Sequence, residues 1–314
     1  MKFSSFVRMH WAAFRTLLVL TVITGVAYPL FVWLVALIPG LHDNAEGSIL
    51  TVNGKPVGSR LIGQLFTDKD GNPLPQYFQS RPSAAGAGYD PLSTSASNLG
   101  PENILDTPAD PSQLAAGKSP ADAGFKPSLL TQVCTRSAAV ATLEGLRKED
   151  GQRPFCTGDG VGAVLSVIGP RDARGNVTHP TRVVSVNEPC QTTAQTHAQP
   201  FLTTYAGARV ECAKYGEDYS IGQIVPIRGT APASPRVPAD AVTASGSGLD
   251  PDISPEYADI QIARVAKARH VTPEQIRAVV NAFRKDRTLG FFGEPTVNVL
   301  RVNAELDHRY PVTD

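Results

Sequence analysis

TLLVLTVITGVAYPLFVWLVALI, the stretch from Thr16 to Ile38, contains no charged residue and decides how the chain is built. As a helix it is roughly 34 Å long, which is enough to cross a hydrocarbon core of about 30 Å. A single span must be helical, because lipid offers no partner to an unpaired backbone N–H or C=O group. Pro29 lacks an N–H group, so we expect it to kink the helix. The stretch therefore predicts one transmembrane helix, residues 16–38.

The charges on either side of this stretch predict its direction. The flanking ionisable residues are, before it, Lys2, Arg8 and Arg15 and, after it, His42, Asp43 and Glu46. Because basic residues stay on the cytoplasmic side, we expect residues 1–15 in the cytoplasm and everything after Pro39 in the periplasm. A cleaved signal peptide would have a shorter apolar core and an A-x-A-like site after it, whereas IPGLHDNAEG follows here. A retained, single-pass anchor in the cell inner membrane is expected.

Composition limits what the exported part, from about residue 39 to 314, can be. It is long enough to bury a core of its own. Lys plus Arg and Asp plus Glu each number 29, so the chain has no net charge and no basic field that would favour nucleic acid. The 27 glycines and 26 prolines favour loops and short strands over long helical bundles.

The cysteines predict disulfides. Cys134, Cys156, Cys190 and Cys212 form an even set in an exported region. No two of them lie two to four residues apart, as paired cysteine ligands of a zinc ion do, so we assign no metal site. Three connectivities are open; the nearest-neighbour one, Cys134 with Cys156 and Cys190 with Cys212, closes two equal loops worth about 3 kcal/mol each. Four free buried thiols are the alternative.

Local patterns predict the remaining elements. A hairpin is expected over Ser48–Phe66 around Asn53-Gly54. A loop pinned by side-chain-to-backbone bonds is expected over Tyr77–Ala84 and Tyr89–Pro101, with a flexible linker as the alternative. Residues Glu102–Pro127 are predicted to be linker-like. The predicted helices are Ser128–Arg147, one capped by Ser254 and one with a capping box at Thr272. The predicted strands are Val161–Ile168, Thr181–Val186, Leu202–Val210 and a final strand, Glu294–Asn303.

Several stretches together resemble the C chain of the high-affinity potassium-transporting P-type ATPase, the KdpC family. They lie at both ends of the chain and follow the order of the family. The stretches are GSRLIGQLF (58–66), YFQSRPSA (77–84), SNLGP (97–101), VTASGSGLDPDISPEYA (242–258), Gln261, Arg264-Val265-Ala266 and LGFFGEPTVNVLRVNAELD (289–307).

The resemblance implies a domain division. Residues 39–101 and 237–314 form a KdpC-like domain, and residues 102–236, which carry all four cysteines, are an insert. The expected fold is α+β: one N-terminal transmembrane helix, then a mixed α/β extracytoplasmic domain with a disulfide-bearing insert. Because the flanking blocks carry the resemblance, deletion of most of the insert is expected to leave assembly intact.

The resemblance also implies a function. Family members are non-catalytic subunits of an ATP-driven potassium uptake complex, described as catalytic chaperones that raise the ATP affinity of the catalytic subunit. The implied partners are the lipid bilayer, a potassium-translocating channel-like subunit and the P-type ATPase subunit. This chain contains neither the DKTGT phosphorylation motif nor a Walker A motif, so we assign no catalytic residue.

One loop carries two interpretations. Ser245–Pro251, SGSGLDP, resembles the signature motif of ABC transporters, and a Gly/Ser loop ahead of a helix could cradle phosphate. The other interpretation is a turn that packs against partner subunits. No firmly bound cofactor is expected, and ATP is implied by the resemblance alone. The candidate interface or signature-like residues are Arg81, Pro82, Ser83, Ser97, Asn98, Leu99, Gly100, Ser245, Gly246, Ser247, Gly248, Leu249, Asp250 and Pro251.

A second class of function stays open from the sequence. The chain could be a stand-alone, membrane-anchored periplasmic binding module whose cysteine-bearing insert is the binding surface. Co-purification with large membrane subunits would separate this alternative from the accessory subunit.

Overall fold

The apolar stretch lies in a long helical segment that begins at Phe3 rather than at Thr16. Helix α1 spans Phe3–Val22, a π-helical turn spans Ile23–Ala27 and helix α2 spans Tyr28–Ala36. These 34 residues are long and apolar enough to cross a membrane, and none of the most apolar part is buried in the protein. The computed structural model describes residues 3–52, 54–86, 88–92, 98–187 and 199–312.

The π-helical turn lies directly before Pro29. In this turn the N–H of Tyr28 donates to the carbonyl oxygen of Ile23, five residues back rather than four. Proline cannot donate to the preceding turn, and a π-turn is one way in which a helix accommodates an interrupted ladder. The hydrogen-bond pattern therefore changes next to Pro29, and the predicted kink itself stays a prediction.

The chain divides into two compact units, Met1–Ile62 and Gly63–Asp314. In the first unit a short helix, α3 (His42–Ala45), precedes strands β1 (Ile49–Val52) and β2 (Lys55–Ser59), which pair antiparallel as the hairpin pattern predicted. Gly54 has φ of 74°, the left-handed conformation that a tight turn requires. Asn53, the other predicted turn residue, lies outside the described residues.

The second unit holds the remaining elements, only part of which the sequence predicted. Its helices are α4 (Pro111–Ala115), α5 (Leu129–Leu143), α6 (Pro255–Ala268), α7 (Pro273–Ala282) and α8 (Val299–Arg309). Its strands are β3 (Val164–Ile168), β4 (Arg182–Ser185), β5 (Thr204–Tyr205), β6 (Ala208–Cys212), β7 (Gln223–Pro226), β8 (Asp252–Ile253), β9 (Arg284–Lys285) and β10 (Thr296–Asn298). The predicted strand Leu202–Val210 is wrong as one strand, because the left-handed residues Ala206 and Gly207 turn the chain and divide it into two antiparallel strands.

Two sheets organise this unit. Five strands follow the order β5-β6-β4-β3-β7, in which β4 and β6 are parallel and the other neighbours antiparallel. The other sheet has the order β8-β10-β9 and is antiparallel. With the helices, these sheets confirm the predicted α+β class.

The larger core is built mainly on the apolar faces of helices α6, α7 and α8. Ser254 caps α6 by accepting from the N–H of Tyr257, and Thr272 forms the predicted capping box with Gln275. The core also takes in Phe78, upstream of the insert, and Ala141, within it. A second, smaller cluster lies on the five-stranded sheet. The main-core residues contributed by the last three helices are Tyr257, Ala258, Ile262, Val265, Ala266, Ile276, Val279, Val280, Val299, Val302 and Leu306.

The predicted final strand, Glu294–Asn303, is wrong beyond Asn298. There the Asn298 side chain accepts from the N–H of Arg301 and starts helix α8. Alternation of Val297 and Val299 indicated a strand, but the apolar residues from Val299 onward also have helical spacing. Strand β10 ends at Asn298, and the same residue is the N-cap of α8. The buried side chains of α8 are Val299, Leu300, Val302, Asn303 and Leu306.

The stretch predicted to be linker-like, Glu102–Pro127, is instead tied down. Thr107 and Lys126 exchange two backbone hydrogen bonds of 2.9 and 3.1 Å, and Asp110 caps α4. Its Asp and Ser side chains bond to nearby backbone groups, which orders a Pro-rich segment whose regular structure is limited to the short helix α4.

One predicted disulfide is described in full. Cys134 and Cys156 are bonded, with Cα atoms 5.6 Å apart, which confirms the first nearest-neighbour pair. Cys212 is also disulfide-bonded. Its predicted partner, Cys190, lies outside the described residues, so the second pairing stays a prediction.

Candidate subunit-interface site

Two of the candidate motifs, far apart in sequence, form one structural unit. The segments at Ser83 and Ser245 pair as a parallel bridge. The N–H of Ala84 donates to the oxygen of Ser245, and the N–H of Ser245 donates to the oxygen of Pro82, both at 2.8 Å. The RPSA and SGSGLDP stretches therefore lie side by side.

Serine side chains of the SGSGLDP loop accept hydrogen bonds from backbone N–H groups of the same loop. The N–H of Gly248 donates to Oγ of Ser245 at 2.8 Å, and the N–H of Leu249 donates to Oγ of Ser247 at 3.3 Å. Two strand residues, Asp252 and Ile253, separate the loop from the Ser254 cap of α6. With the bond to Pro82, three loop amides are thus engaged within the protein and are not open to a phosphate group.

Gly248 shows why this loop needs glycine. Its φ is +78°, and a Cβ atom there would lie 2.3 Å from the backbone oxygen of Gly88. Gly63, in the predicted GSRLIGQLF block, is equally confined, because its Cβ would lie 2.5 Å from the oxygen of Asp250. The N–H of Gly63 donates to the oxygen of Leu249 at 2.8 Å. Three of the family-like stretches therefore meet at one place.

Arg81 links the same motifs through its side chain. Its guanidinium lies 3.0 Å from a carboxylate oxygen of Asp250 and donates twice to the backbone oxygen of Thr243, at 3.0 and 3.2 Å. The Arg81 side chain is 28% exposed and that of Asp250 48% exposed, so the ion pair is open to solvent on one side. An ion pair this exposed contributes little to folding stability, and its charges stay accessible to a binding partner.

The SNLGP motif is not brought into this cluster by the described contacts. Asn98 has a left-handed φ of 50°, and the oxygen of Gly100 accepts from the N–H of Asn103 at 3.0 Å. Within the described ranges, Asn98, Leu99 and Gly100 make no hydrogen bond to the SGSGLDP loop. Ser97 lies outside the described residues.

The residues that hold RPSA in place were missed as site residues. Gln261 on α6 accepts from the N–H of Gln79 at 2.7 Å and donates to its oxygen at 3.1 Å. Asn303 on α8 does the same for Phe78, at 2.9 and 3.0 Å. The signal in the sequence was an amide side chain within an apolar helical stripe, since a buried amide needs backbone partners.

A buried ion pair joins the predicted insert to the family-like domain. Nε of Arg264 on α6 lies 3.0 Å from a carboxylate oxygen of Glu144, at the end of α5, and the side chains are 8% and 0% exposed. Another Arg264 nitrogen donates to the oxygens of Pro75 and Tyr77. Burial raises the pKa of Glu144, and the Arg264 charge lowers it only in part.

No metal centre is indicated by the described residues, among which no three His, Cys, Asp or Glu side chains are grouped to hold an ion. Asp250 and Asp252 are each engaged otherwise, the first by Arg81 and the second by the amide of Asn298 at 2.9 Å. The arrangement is a half-buried surface of hydrogen-bonded backbone turns with one ion pair.

Comparison with known proteins agrees with the order of the motifs. The sequence profile of the family described as K+-transporting ATPase, c chain matches residues 10–109 and 198–308 and leaves 110–197 unmatched. That gap lies within the predicted insert, 102–236, and is narrower than it.

Individual relatives match nearly end to end. Potassium-transporting ATPase KdpC subunits from Kineococcus radiotolerans and Streptomyces coelicolor are 33% and 34% identical to this chain. The matches cover 94% and 95% of it, and 91% and 92% of the relatives. The KdpC subunit of Beijerinckia indica is 31% identical over 96% of the chain and 93% of its own length. Because so little of the chain is left out, the matched span runs through the segment that the family profile omits.

Proposed function

The chain belongs to the KdpC family of potassium-transporting ATPase subunits, and from that premise we propose that it is a non-catalytic accessory subunit of an ATP-driven potassium uptake complex. Its role would be to assemble with and stabilise the potassium-translocating, channel-like subunit and the P-type ATPase subunit. The surface that we assign to this contact is the pinned turn formed by RPSA and SGSGLDP.

The observation that carries this assignment is the pairing of Ser83 with Ser245. It joins two family-like motifs from opposite sides of the insert into one surface, and the half-exposed Arg81–Asp250 pair lies on it. A pre-formed surface of this kind loses little conformational freedom on binding, which favours recognition of a large partner.

The direction of the chain follows from its flanking charges. Arg8 and Arg15 lie at the N-terminal end of the apolar segment, and Asp43 and Glu46 follow it. We therefore place the N-terminus in the cytoplasm and the second unit in the periplasm of the inner membrane. Phosphatase fused after Tyr310 should be active only if this orientation is right.

The chaperone role is proposed as an indirect one. Three of the loop amides, those of Ser245, Gly248 and Leu249, are engaged within the protein, and our orientation places the loop where ATP is scarce. An increase in ATP affinity would then come from contact with the catalytic subunit. Photoaffinity labelling of the whole complex with azido-ATP should label the catalytic subunit and leave this chain unlabelled.

The central test is potassium-stimulated ATPase activity of the complex, purified through a tag on this chain. We expect both large subunits to co-purify, and activity to fall when the chain is omitted. Arg81→Ala combined with Asp250→Ala should weaken co-purification, whereas the exposed ion pair Arg277–Asp259, removed in the same way, serves as the matched control. A chain that purifies alone, with ATPase activity unchanged by its absence, would instead favour the stand-alone binding module.

A further inference from the structure

An apolar knob projects from the loop between β9 and β10. Its side chains are Leu289, Phe291 and Phe292, which are 78%, 64% and 59% exposed, and the two rings lie 4.2 Å apart. Together they present on the order of 400 Å² of mainly apolar surface to water. This is the size of the largest apolar patch on a typical monomer, and such patches often mark interaction sites.

Several backbone N–H groups of the knob donate hydrogen bonds to carbonyl oxygens of the same turn. Thr288 and Phe292 exchange two hydrogen bonds of 2.9 Å, and the N–H of Gly290 donates to the oxygen of Arg287 at 3.1 Å. Leu289 takes a left-handed φ of 57°, which is uncommon for a residue with a side chain. Because the N–H groups of Thr288, Gly290 and Phe292 are paired, these three groups can leave water without the cost of meeting a low dielectric unpaired.

The flank of the knob is positively charged. Residues 284–287 read Arg-Lys-Asp-Arg and all four are exposed; with Glu294, which pairs with Arg287, the flank has a net charge of plus one. Arg284 pairs with Asp286 and Arg287 with Glu294, while Lys285 extends the same basic flank. Phosphate headgroups of an anionic lipid surface are complementary to a basic flank beside apolar side chains.

The size of the knob favours lipid over a protein as its occupant. About 400 Å² is half of the roughly 800 Å² that each partner buries in a specific protein interface. A weak apolar contact is sufficient, however, when a second anchor already holds the chain at the bilayer. The helix from Phe3 to Ala36 is long and apolar enough to be that anchor.

We propose that the knob inserts into the headgroup region of an anionic bilayer and so gives the chain a second membrane contact. This contact uses residues other than those of the proposed subunit surface. It can therefore fail while the accessory-subunit function stands.

Photo-crosslinking in the intact complex in native membranes tests the proposal. With p-benzoylphenylalanine in place of Phe291, we expect a lipid adduct, detected by mass. The same substitution at Leu30 in α2 should also give a lipid adduct, and at the exposed Tyr215 none. An adduct with another subunit would overturn the proposal in favour of a protein interface. No adduct at position 291, with the Leu30 control positive, would overturn it in favour of a solvated loop.

A fluorescence experiment tests the lipid charge. Trp11 and Trp33 are the only tryptophans, so Phe291→Trp in a Trp11→Phe/Trp33→Phe background reports on the knob alone. In nanodiscs that contain phosphatidylglycerol we expect blue-shifted emission and quenching by brominated lipid. Both should weaken in phosphatidylcholine alone or when Arg284, Lys285 and Arg287 are replaced by Gln. Emission at the wavelength of water-exposed tryptophan in both lipids would contradict the proposal.

Discussion

The side-chain amide of Asn303 binds both backbone polar atoms of Phe78, although the two residues are 225 positions apart. Oδ1 accepts from the N–H at 2.9 Å, Nδ2 donates to the oxygen at 3.0 Å, and both residues are about 1% exposed. The amide of Gln261 repeats this arrangement on Gln79. The side chains of Asn303 and Gln261 thus make the hydrogen bonds that a neighbouring strand would make to Phe78 and Gln79. These two residues lie just before the proposed interface segment.

Replacement of Asn303 by Leu should destabilise the protein strongly. The N–H and C=O of Phe78 would stay buried without partners, and each unpaired group costs about 1–3 kcal/mol, so roughly 2–6 kcal/mol is expected. Thermal unfolding in detergent, followed by circular dichroism, measures the loss. Asn281→Leu, at an exposed position of α7, is the control and should change little. Equal stabilities of the two variants would contradict the structural role of Asn303.

Gly248→Ala should disrupt the RPSA–SGSGLDP unit, because the new Cβ would meet the oxygen of Gly88 at 2.3 Å. Gly124→Ala is a matched control: φ is +90° there, but nothing lies within 4 Å of the added atom. Both variants carry the strain of a left-handed alanine, so the difference between them reports the close contact. We expect co-purification of the large subunits to fall for Gly248→Ala alone. Equal recovery of the complex would count against this surface.

Removal of the described disulfide should lower the free energy of unfolding by about 3 kcal/mol, since the bond closes a loop between residues 22 positions apart. The double variant Cys134→Ser/Cys156→Ser is preferable to a reductant, because Cys212 is also disulfide-bonded and would be reduced as well. Chemical denaturation in detergent measures the change. A midpoint that does not move would show that the bond does not restrict the unfolded chain.

The buried Glu144 should give the protein a distinctive pH dependence. Burial raises its pKa above the ordinary value of 4.5, so the folded state binds a proton more readily than the unfolded state. Proton binding by Glu144 therefore adds to the free energy of unfolding. This contribution is fully present below about pH 4.5 and is lost as pH rises through the higher pKa of the folded state. Lowering the pH from 7 should therefore improve the melting temperature of the wild type relative to Glu144→Gln. A difference that is constant with pH would contradict this.

Deletion of residues 102–236 should lower the stability of the family-like domain, a quantity that the expectation of intact assembly did not address. Arg264 would lose its carboxylate partner in a site where its side chain is 8% exposed, and breaking such a pair costs about 3–5 kcal/mol. The core would also lose Ala141. Unfolding of the shortened chain, with and without Arg264→Met, measures the effect. The second change should restore part of the stability, and a shortened chain as stable as the wild type would contradict the prediction.

The sequence by itself determined the features that depend on neighbouring residues. The membrane-capable segment followed from an uncharged run, and the starts of α6 and α7 followed from Ser254 and Thr272, because a cap acts within three residues. The Cys134–Cys156 pair was among the connectivities that cysteine spacing allowed. Family membership followed from short blocks that keep their order along the chain.

Only the tertiary structure decided which distant residues meet. Nothing local to Ser83 indicates that it pairs with Ser245, and nothing near Phe78 indicates that Asn303 closes its hydrogen bonds. The same holds for Glu144, whose partner Arg264 is 120 positions away. Propensity and capping act over a few residues, whereas these contacts depend on the path of the whole chain. The physical reason is that a buried polar group must find a partner wherever the fold provides one.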